Sequence, residues 1–323
     1  MDRRDILAAG LAGTLLAPAA QARVATGPVK PDASLKLWPG EAPGLTNRAL
    51  DDHIWERSKD PAFPDRAMDR IRNPRLDIFR AKKPQGAAML VIPGGGYQRV
   101  VLDKEGYELG PWLAERGITA FVLFYRLPGE GWRDRMNAPL ADAQRAMRLI
   151  RARAAEYRID PKRVGAMGFS AGGHLCASLA TSFARKTYDA VDAADALDAR
   201  PMLAAPIYPV VSMDPAIAHS GSRSLLLGPG ATRETAREHS PELLVSAQTP
   251  PCFLVHAEDD ETVPIDNSIR LRAALKAAGV PVETHIFEKG GHGFGWGART
   301  EGKPVHAWPE LYLAWVKAHG LLG

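Results

Sequence analysis

Residues 168–172 read Gly-Phe-Ser-Ala-Gly and stand between an apolar run at 164–169 and a helical run that starts at Ala171. The order of strand, Gly-x-Ser-x-Gly and helix is typical of a nucleophile elbow, a sharp turn that lifts a serine Oγ clear of a sheet. The turn is so tight that the residues two before and two after the serine must be small, and glycine occupies both places. The pattern therefore predicts that Ser170 is a nucleophile, with the positive N-terminal end of a helix directed at it.

The composition is that of a globular protein with little charge imbalance. Of 323 residues, 46% are hydrophobic, which is enough to bury one large core or two modest ones. The 41 Lys and Arg against 37 Asp and Glu give a net charge of +4 without a dense basic block, so nucleic acid and acidic membranes are poor candidate partners. The only two cysteines, Cys176 and Cys252, cannot form a disulfide scaffold and are expected to be buried free thiols.

The first 22 residues have the pattern of a signal peptide. Arg3 and Arg4 precede an apolar run at 6–18, and Ala-Gln-Ala at 20–22 is a small-x-small cleavage site. The arginine pair predicts export by a twin-arginine-like signal to the periplasm, although Ser or Thr before the pair and Phe after it are missing. A general secretory signal or a disordered tail is the alternative interpretation. The apolar run is too short for a membrane span, which takes about 20 residues.

Strands and helices alternate from residue 87 onward. Short apolar runs predict buried strands, and amphipathic spacing predicts helices between them. The alternation predicts an α/β fold with a mostly parallel central sheet and helices on both faces, forming one catalytic domain over residues 87–323. The predicted strands are 87–92, 118–125, 164–169, 202–208, 252–256 and 282–287, and the predicted helices are 106–115, 138–157, 171–184, 265–278 and 307–318.

Three segments do not fit this alternation. Residues 23–86 are rich in Pro, Arg and Asp and are predicted to be an N-terminal extension packed on the domain, with one early antiparallel strand at 76–79. Residues 185–200 are predicted to be a surface excursion. Residues 211–245 are predicted to be a long loop, with room for one short helix, that roofs the site.

A serine hydroxyl is a poor nucleophile until a base takes its proton. His292 is the predicted base, because it follows the last predicted strand on the glycine-rich stretch 289–295, which can swing an imidazole over the elbow. His174 lies one helical turn past Ser170 and is predicted to be a buried structural residue. None of the other histidines lies on such a loop.

The base needs an acid that orients it. With a nucleophile elbow, this acid comes after the serine and before the histidine along the chain, at the end of a strand. The acidic run 258–261 follows the predicted strand 252–256 and supplies it. Four acids crowd there, so composition alone does not choose between Asp260 and Asp259.

Acyl transfer also needs fixed N–H donors for the negative oxygen of the tetrahedral intermediate. The predicted donors of this oxyanion hole are the amides of Gly95, Gly96 and Ala171, since Pro-Gly-Gly-Gly-Tyr at 93–97 directly follows a predicted strand. A phosphate-binding glycine loop is the alternative, but the spacing fits neither a dinucleotide fingerprint nor a P-loop. No Cys/His pattern has zinc spacing, so the sequence implies no metal and no cofactor.

These motifs together resemble the α/β-hydrolase superfamily, and more closely its bacterial acetylxylan esterase-like and carbohydrate acetylesterase group. In that group the acid stands four residues after a strand-end histidine, so the resemblance implies Asp260 as the acid. It also implies that the fold is the α/β-hydrolase fold and that the substrate is an O-acetyl ester on a sugar. The matching segments are residues 37–44, 93–97, 125–128, 142–146, 159–161, 168–174, 256–264 and 290–294.

Rival functions stay open at this stage. A prolyl-oligopeptidase-like serine peptidase would share the fold, but residues 23–86 are too short for the propeller those enzymes carry. A lipase would need a broad apolar entrance to its site. A non-catalytic sugar-binding protein would not need the combination of serine, histidine and acid. The sequence leaves the sugar and the oligomeric state open. Four aromatic residues are weak candidates for stacking on a sugar ring: Tyr97, Trp132, Phe294 and Trp296.

Overall fold

The computed structural model describes residues 29–323, so the predicted export signal at 1–22 lies outside the described residues. The strands are β1 (Ala33–Lys36), β2 (His53–Glu56), β3 (Arg66–Asp69), β4 (Arg75–Phe79), β5 (Gly86–Ile92), β6 (Val100–Val101), β7 (Ile118–Phe124), β8 (Ile159–Phe169), β9 (Ala204–Ile207), β10 (Cys252–Ala257) and β11 (Val282–Phe287). The α-helices are α1 (Leu109–Glu115), α2 (Ala138–Ala152), α3 (Ala154–Tyr157), α4 (Ala171–Ser182), α5 (Ser220–Leu227), α6 (Arg233–Glu238), α7 (Asp266–Ala277) and α8 (Trp308–Ala318).

Eight of the described strands form one sheet in the order β1-β4-β7-β5-β8-β9-β10-β11. From β7 to β11 every neighbouring pair is parallel, whereas β1 and β4 are antiparallel at one edge. The central strands are almost completely buried and read as continuous apolar runs, as expected where helices cover a parallel sheet. The predicted α/β fold with a mostly parallel sheet is confirmed, and the carboxyl ends of β5, β8, β10 and β11 carry the predicted site residues.

The segment before residue 86 contains more strand than its sequence indicates. The predicted antiparallel strand at 76–79 is confirmed as β4, which pairs with β1 and β7. The prediction is wrong in leaving out β1, β2 and β3, of which β2 and β3 join β6 in a separate small sheet. Each of the three has four residues, and β2 is exposed except at Trp55, so neither length nor alternation marks them.

Two other predictions need correction. The long loop at 211–245 instead carries two helices, α5 and α6, of eight and six residues. Each begins at a side-chain cap, from His219 and from Thr232 respectively, and such short helices lack a periodic apolar signal. The predicted helix 138–157 is interrupted at Arg153, which separates α2 from α3.

Cys176 and Cys252 are both buried and free, which confirms the sequence-based expectation. Burial raises the pKa of the Cys176 thiol to about 12, so this group is inert at neutral pH. In the part of the chain that the structure describes, no helix combines the length and the apolar character that crossing a bilayer requires.

Candidate active site

Ser170 occupies the turn between β8 and α4 in a backbone conformation that side chains rarely adopt, with φ 53° and ψ −118°. The turn tolerates no side chain at its glycines. A Cβ on Gly168 would lie 2.1 Å from the carbonyl oxygen of Gly172, and a Cβ on Gly172 would lie 2.1 Å from that of Ile92. The predicted elbow is therefore present, and the physical reason for both glycines is the close approach of backbone to backbone.

The structure brings together three side chains that are far apart in the sequence. Ser170 Oγ lies 2.8 Å from His292 Nε2, and His292 Nδ1 lies 2.7 Å from Asp260 Oδ2. The serine, imidazole and carboxylate thus form a continuous hydrogen-bonded chain in the order that proton abstraction from a hydroxyl requires.

The Asp260 carboxylate accepts hydrogen bonds from four donors. Its Oδ1 accepts the amides of Thr262 and Val263 at 2.9 and 2.8 Å, and its Oδ2 accepts His256 Nε2 at 3.2 Å in addition to His292. Burial by itself raises the pKa of this carboxyl, but the hydrogen bonds from His256 and His292 outweigh it and hold the pKa well below its usual range. The carboxyl group of Asp260 is therefore ionised at neutral pH.

Asp259, the other acid that the pattern leaves open, has a different position. Its Oδ1 accepts the amides of Gly290 and Gly291 at 2.9 and 2.8 Å. It holds the backbone of the loop that carries His292, while Asp260 bonds the ring itself.

The predicted oxyanion-hole loop lies against the elbow. A Cβ on Gly94 would come 2.9 Å from the Cβ of Ser170, so this turn lies beside the nucleophile. Gly95 and Gly96 have φ values of 131° and 68°, a region in which only glycine is unstrained. Within residues 29–323, no acceptor is bonded to the amides of Gly95, Gly96 or Ala171. These amides are therefore free to bind a substrate oxygen.

Sequence reasoning missed Glu105, which lies in a π-helical turn at Asp103–Tyr107. Its side chain is buried and accepts two hydrogen bonds, from the Gly94 amide at 2.7 Å and from Tyr208 Oη at 3.0 Å. The Tyr208 oxygen in turn accepts the amide of Gly295 at 3.3 Å, and its ring centroid lies 5.3 Å from that of His292. One carboxylate thus joins the oxyanion-hole loop to the loop that carries the imidazole. No local pattern marks such a residue, because its two partners, Gly94 and Tyr208, come from separate parts of the chain.

The aromatic residues proposed for sugar stacking are mostly in the core, which corrects that prediction for three of them. Trp132 and Phe294 are each 5% exposed, and Phe294 packs edge-on against Tyr208 at 4.4 Å. Tyr97 is 1% exposed, and its hydroxyl bonds His174 Nδ1 at 2.7 Å. Only Trp296 is partly exposed, and it packs on Trp112 with 4.3 Å between ring centroids.

His174 is buried, as the sequence predicts. Its Nδ1 faces Tyr97, and its Nε2 lies 2.8 Å from the carbonyl oxygen of His239. Since a carbonyl only accepts, Nε2 carries the ring proton and Nδ1 accepts from the tyrosine. Burial lowers the pKa of His174 to about 4, so the ring is neutral at pH 7. Across residues 29–323, no three His, Cys, Asp or Glu side chains gather in a group that could hold a metal ion.

The chain is similar to known proteins in sequence and in fold. The BD-FAE family model matches residues 76–275, which is more than half of the chain. A solved acetyl ester-xyloside bifunctional hydrolase from Caldicellulosiruptor lactoaceticus is 34% identical, with a TM-score of 0.75 over 92% of this chain and 100% of that one.

Two further relatives are enzymes of xylan breakdown by name. An acetylxylan esterase of Xylanibacter ruminicola is 34% identical over 69% of this chain and 44% of its own length. Endo-1,4-beta-xylanase B of Butyrivibrio fibrisolvens is 38% identical over 64% of this chain and 32% of its own length. The chain spans less than half the length of these two relatives. Together with the sheet order and the elbow, the match over residues 76–275 shows that the chain belongs to the BD-FAE family and has the α/β-hydrolase fold.

Proposed function

We propose that this protein is a serine esterase that removes short acyl groups, chiefly acetyl, from carbohydrates. The observation that carries the proposal is the chain of hydrogen bonds from Ser170 Oγ through His292 to Asp260, at 2.8 and 2.7 Å. The acetyl ester-xyloside hydrolase and the acetylxylan esterase among its relatives support the acetylated-sugar substrate.

The geometry supports the following reaction sequence. His292 Nε2 takes the proton of the Ser170 hydroxyl while Oγ attacks the ester carbonyl carbon. The oxygen of that carbonyl becomes negative and is stabilised by the amides of Gly95, Gly96 and Ala171, which have no other acceptor in the described chain. The C–O bond to the sugar then breaks, and His292 gives its proton to the departing sugar oxygen. An acetyl group remains on Ser170.

Water completes the cycle by the same route. His292 takes a proton from water, and the resulting hydroxide attacks the acetyl carbonyl. The second tetrahedral intermediate collapses, His292 returns the proton to Ser170 Oγ, and acetic acid leaves and loses its own proton to the solvent. Throughout, Asp260 holds the ring through Nδ1 and stabilises its charged form, because its own carboxyl stays ionised.

The signal pattern at residues 1–22 supports a further part of the proposal, that the enzyme is exported to the periplasm and acts there on sugar esters. Fractionation of cells that express the full chain, with and without Arg3→Lys and Arg4→Lys, tests this part independently of activity.

The substrate class is tested by comparing three kinds of compound at equal concentration. Acetylated xylan and monoacetylated xylosides should release acetate, and p-nitrophenyl acetate should be cleaved as well. A peptide anilide should not be cleaved, and p-nitrophenyl palmitate should be a poor substrate. Cleavage of the anilide in preference to the esters would favour the peptidase reading, and preference for the palmitate would favour a lipase. The Ser170→Ala variant controls for contaminating activity in every assay.

A further inference from the structure

His219 is a polar residue of the 211–245 segment to which the reaction sequence gives no role. It precedes α5 and caps it, since its Nδ1 accepts the Ser222 amide at 3.2 Å and lies 2.8 Å from Ser222 Oγ. An amide N–H can only donate, so Nδ1 is the unprotonated ring nitrogen. The proton of the neutral ring is therefore on Nε2.

The Cε1 atom of the ring, which is bonded to both ring nitrogens, faces the oxyanion-hole loop. Apart from the neighbouring residues in the chain, His219 Cε1 is the nearest described heavy atom to the place where a Cβ on Gly96 would stand, at 3.7 Å. The His219 side chain is half-buried, and Nε2 has no hydrogen-bond partner within residues 29–323. The His219 ring thus lies next to the oxyanion-hole loop, and its Nε2–H group donates to no acceptor in the described chain.

The charges of His292 and Asp260 also act on the His219 ring. Burial lowers the pKa of His219, and the charge that His292 carries when protonated lowers it further, while Asp260 partly opposes this. The His219 ring therefore stays neutral at pH 7, so it offers a hydrogen bond without a charge. A neutral donor suits a hydroxyl better than it suits a carboxylate or phosphate.

The helix that carries this donor is anchored to the rest of the molecule. Arg135 Nη2 donates to the Leu225 carbonyl at 2.6 Å, and Arg223 Nε donates to the Met213 carbonyl at 2.9 Å. A Cβ on Gly129 would lie 3.1 Å from a methyl of Leu225, so the turn at Pro128–Glu130 packs closely on α5. His219 is thereby held in position before a substrate arrives, as a specificity group requires.

We propose that His219 Nε2–H donates a hydrogen bond to a hydroxyl of the alcohol part of the ester, beside the esterified carbon of the sugar. This inference rests on the proposed function. The acetyl group has one oxygen that needs donors, and the amides of Gly95, Gly96 and Ala171 are available to it. The polar groups of the substrate that still need a partner are then the free hydroxyls of the sugar, and a neutral donor at the rim of the same loop matches them.

The experiment compares two esters that differ only in the alcohol part, methyl monoacetyl-xyloside and cyclohexyl acetate. The test variant is His219→Asn, because asparagine is also a good helix cap but lacks a donor at the position of Nε2. The ratio of kcat/KM for the xyloside ester to that for cyclohexyl acetate should fall about five- to tenfold, the effect of losing one neutral hydrogen bond. Ser224→Ala, an exposed position on the same helix, is the control and should leave the ratio unchanged.

Two results would overturn the assignment. One is a kcat/KM in His219→Asn that is unchanged for both esters. The other is an equal loss on both esters, which would place His219 at the acyl group instead. Failure of the proposed function looks different, since the wild-type enzyme would then cleave neither ester or would cleave cyclohexyl acetate alone. His219→Ala, which removes cap and donor together, should show the same change of ratio as His219→Asn and a lower melting temperature.

Discussion

The carboxylate of Glu105 accepts the amide of Gly94 at 2.7 Å, in a position that is closed to solvent. Through its other oxygen it also bonds Tyr208, so a single side chain sets the distance between the oxyanion-hole loop and the His292 loop. The two loops of the candidate site are therefore linked by a buried residue that bonds neither Ser170 nor His292.

Replacing Glu105 by alanine should impair both stability and turnover. The Gly94 amide and the Tyr208 hydroxyl would lose their acceptor in a buried place, which costs about 1–3 kcal/mol for each group. A shift of the oxyanion-hole loop by about 1 Å should lower kcat about 100-fold. Urea unfolding and p-nitrophenyl acetate hydrolysis measure the two effects.

Glu105→Gln is the matched variant, because its amide oxygen can still accept from Gly94, whereas its nitrogen can only donate and cannot replace the acceptor of the Tyr208 hydroxyl. Its kcat should stay within about tenfold of wild type. Equal losses in the alanine and glutamine variants would mean that the charge of Glu105 or its bond to Tyr208, rather than its bond to Gly94, supports turnover.

Asp260→Asn should lower kcat about 10⁴-fold, because an asparagine at this place cannot hold the imidazole in the correct tautomer. Asp259→Asn should stay within about tenfold of wild type, since an amide oxygen can still accept from Gly290 and Gly291. The pair of variants, assayed on the same acetyl ester, decides which acid serves the imidazole. A larger loss in Asp259→Asn than in Asp260→Asn would reverse the assignment.

Substitutions of Ser170 should separate activity from stability. Both Ser170→Ala and Ser170→Gly should lose at least 10⁴-fold in kcat, because no nucleophilic oxygen remains. Ser170→Gly should nevertheless unfold with a free energy about 1 kcal/mol higher than Ser170→Ala, since glycine adopts φ 53° without strain. Chemical unfolding of the two inactive variants tests this, and a less stable glycine variant would argue against strain at the elbow.

The buried His174 should make stability fall on acidification. In the folded protein burial lowers its pKa to about 4, whereas a histidine in the unfolded chain has a pKa of about 6.5. Between these values only the unfolded chain binds the proton, so the free energy of unfolding should decrease by about 3 kcal/mol as the pH falls from about 6.5 to about 4. Above pH 6.5 this contribution is constant.

The measurement is the pH dependence of urea unfolding in wild type and in His174→Gln. Other histidines contribute equally to both proteins, so the difference between the two slopes isolates His174. Parallel curves between pH 6.5 and pH 4 would show that His174 is protonated in the folded state.

Much of the site could be predicted because its decisive features are local. The elbow depends on close backbone contacts between residues 168 and 172. These contacts leave no room for a side chain at either position, so the two glycines that flank the serine are visible in the sequence. His292 could be singled out because only one histidine lies on a glycine-rich stretch after the last strand. The α/β fold could be predicted because a strand covered on both faces leaves a continuous apolar run, as in β5 and β7.

Other features depended on contacts between distant parts of the chain. The acidic run 258–261 did not by itself distinguish two carboxylates, and the structure separates them by what each one bonds, a ring for Asp260 and two amides for Asp259. The buried positions of Tyr97, Trp132 and Phe294 likewise follow from what packs around them, which composition does not report.

The sequence alone determined the candidate nucleophile, its candidate base and the class of fold, because the steric limits of a tight turn and the burial of a strand show within a few residues. The tertiary structure decided which acid bonds the imidazole, which amides are free and where Glu105 and His219 lie. Ser170 and His292 are 122 residues apart and meet only because β8 to β11 lie side by side in a parallel sheet, whose carboxyl ends share one edge. Strand order of that kind is set by the packing of the whole sheet, and no short stretch of sequence contains it.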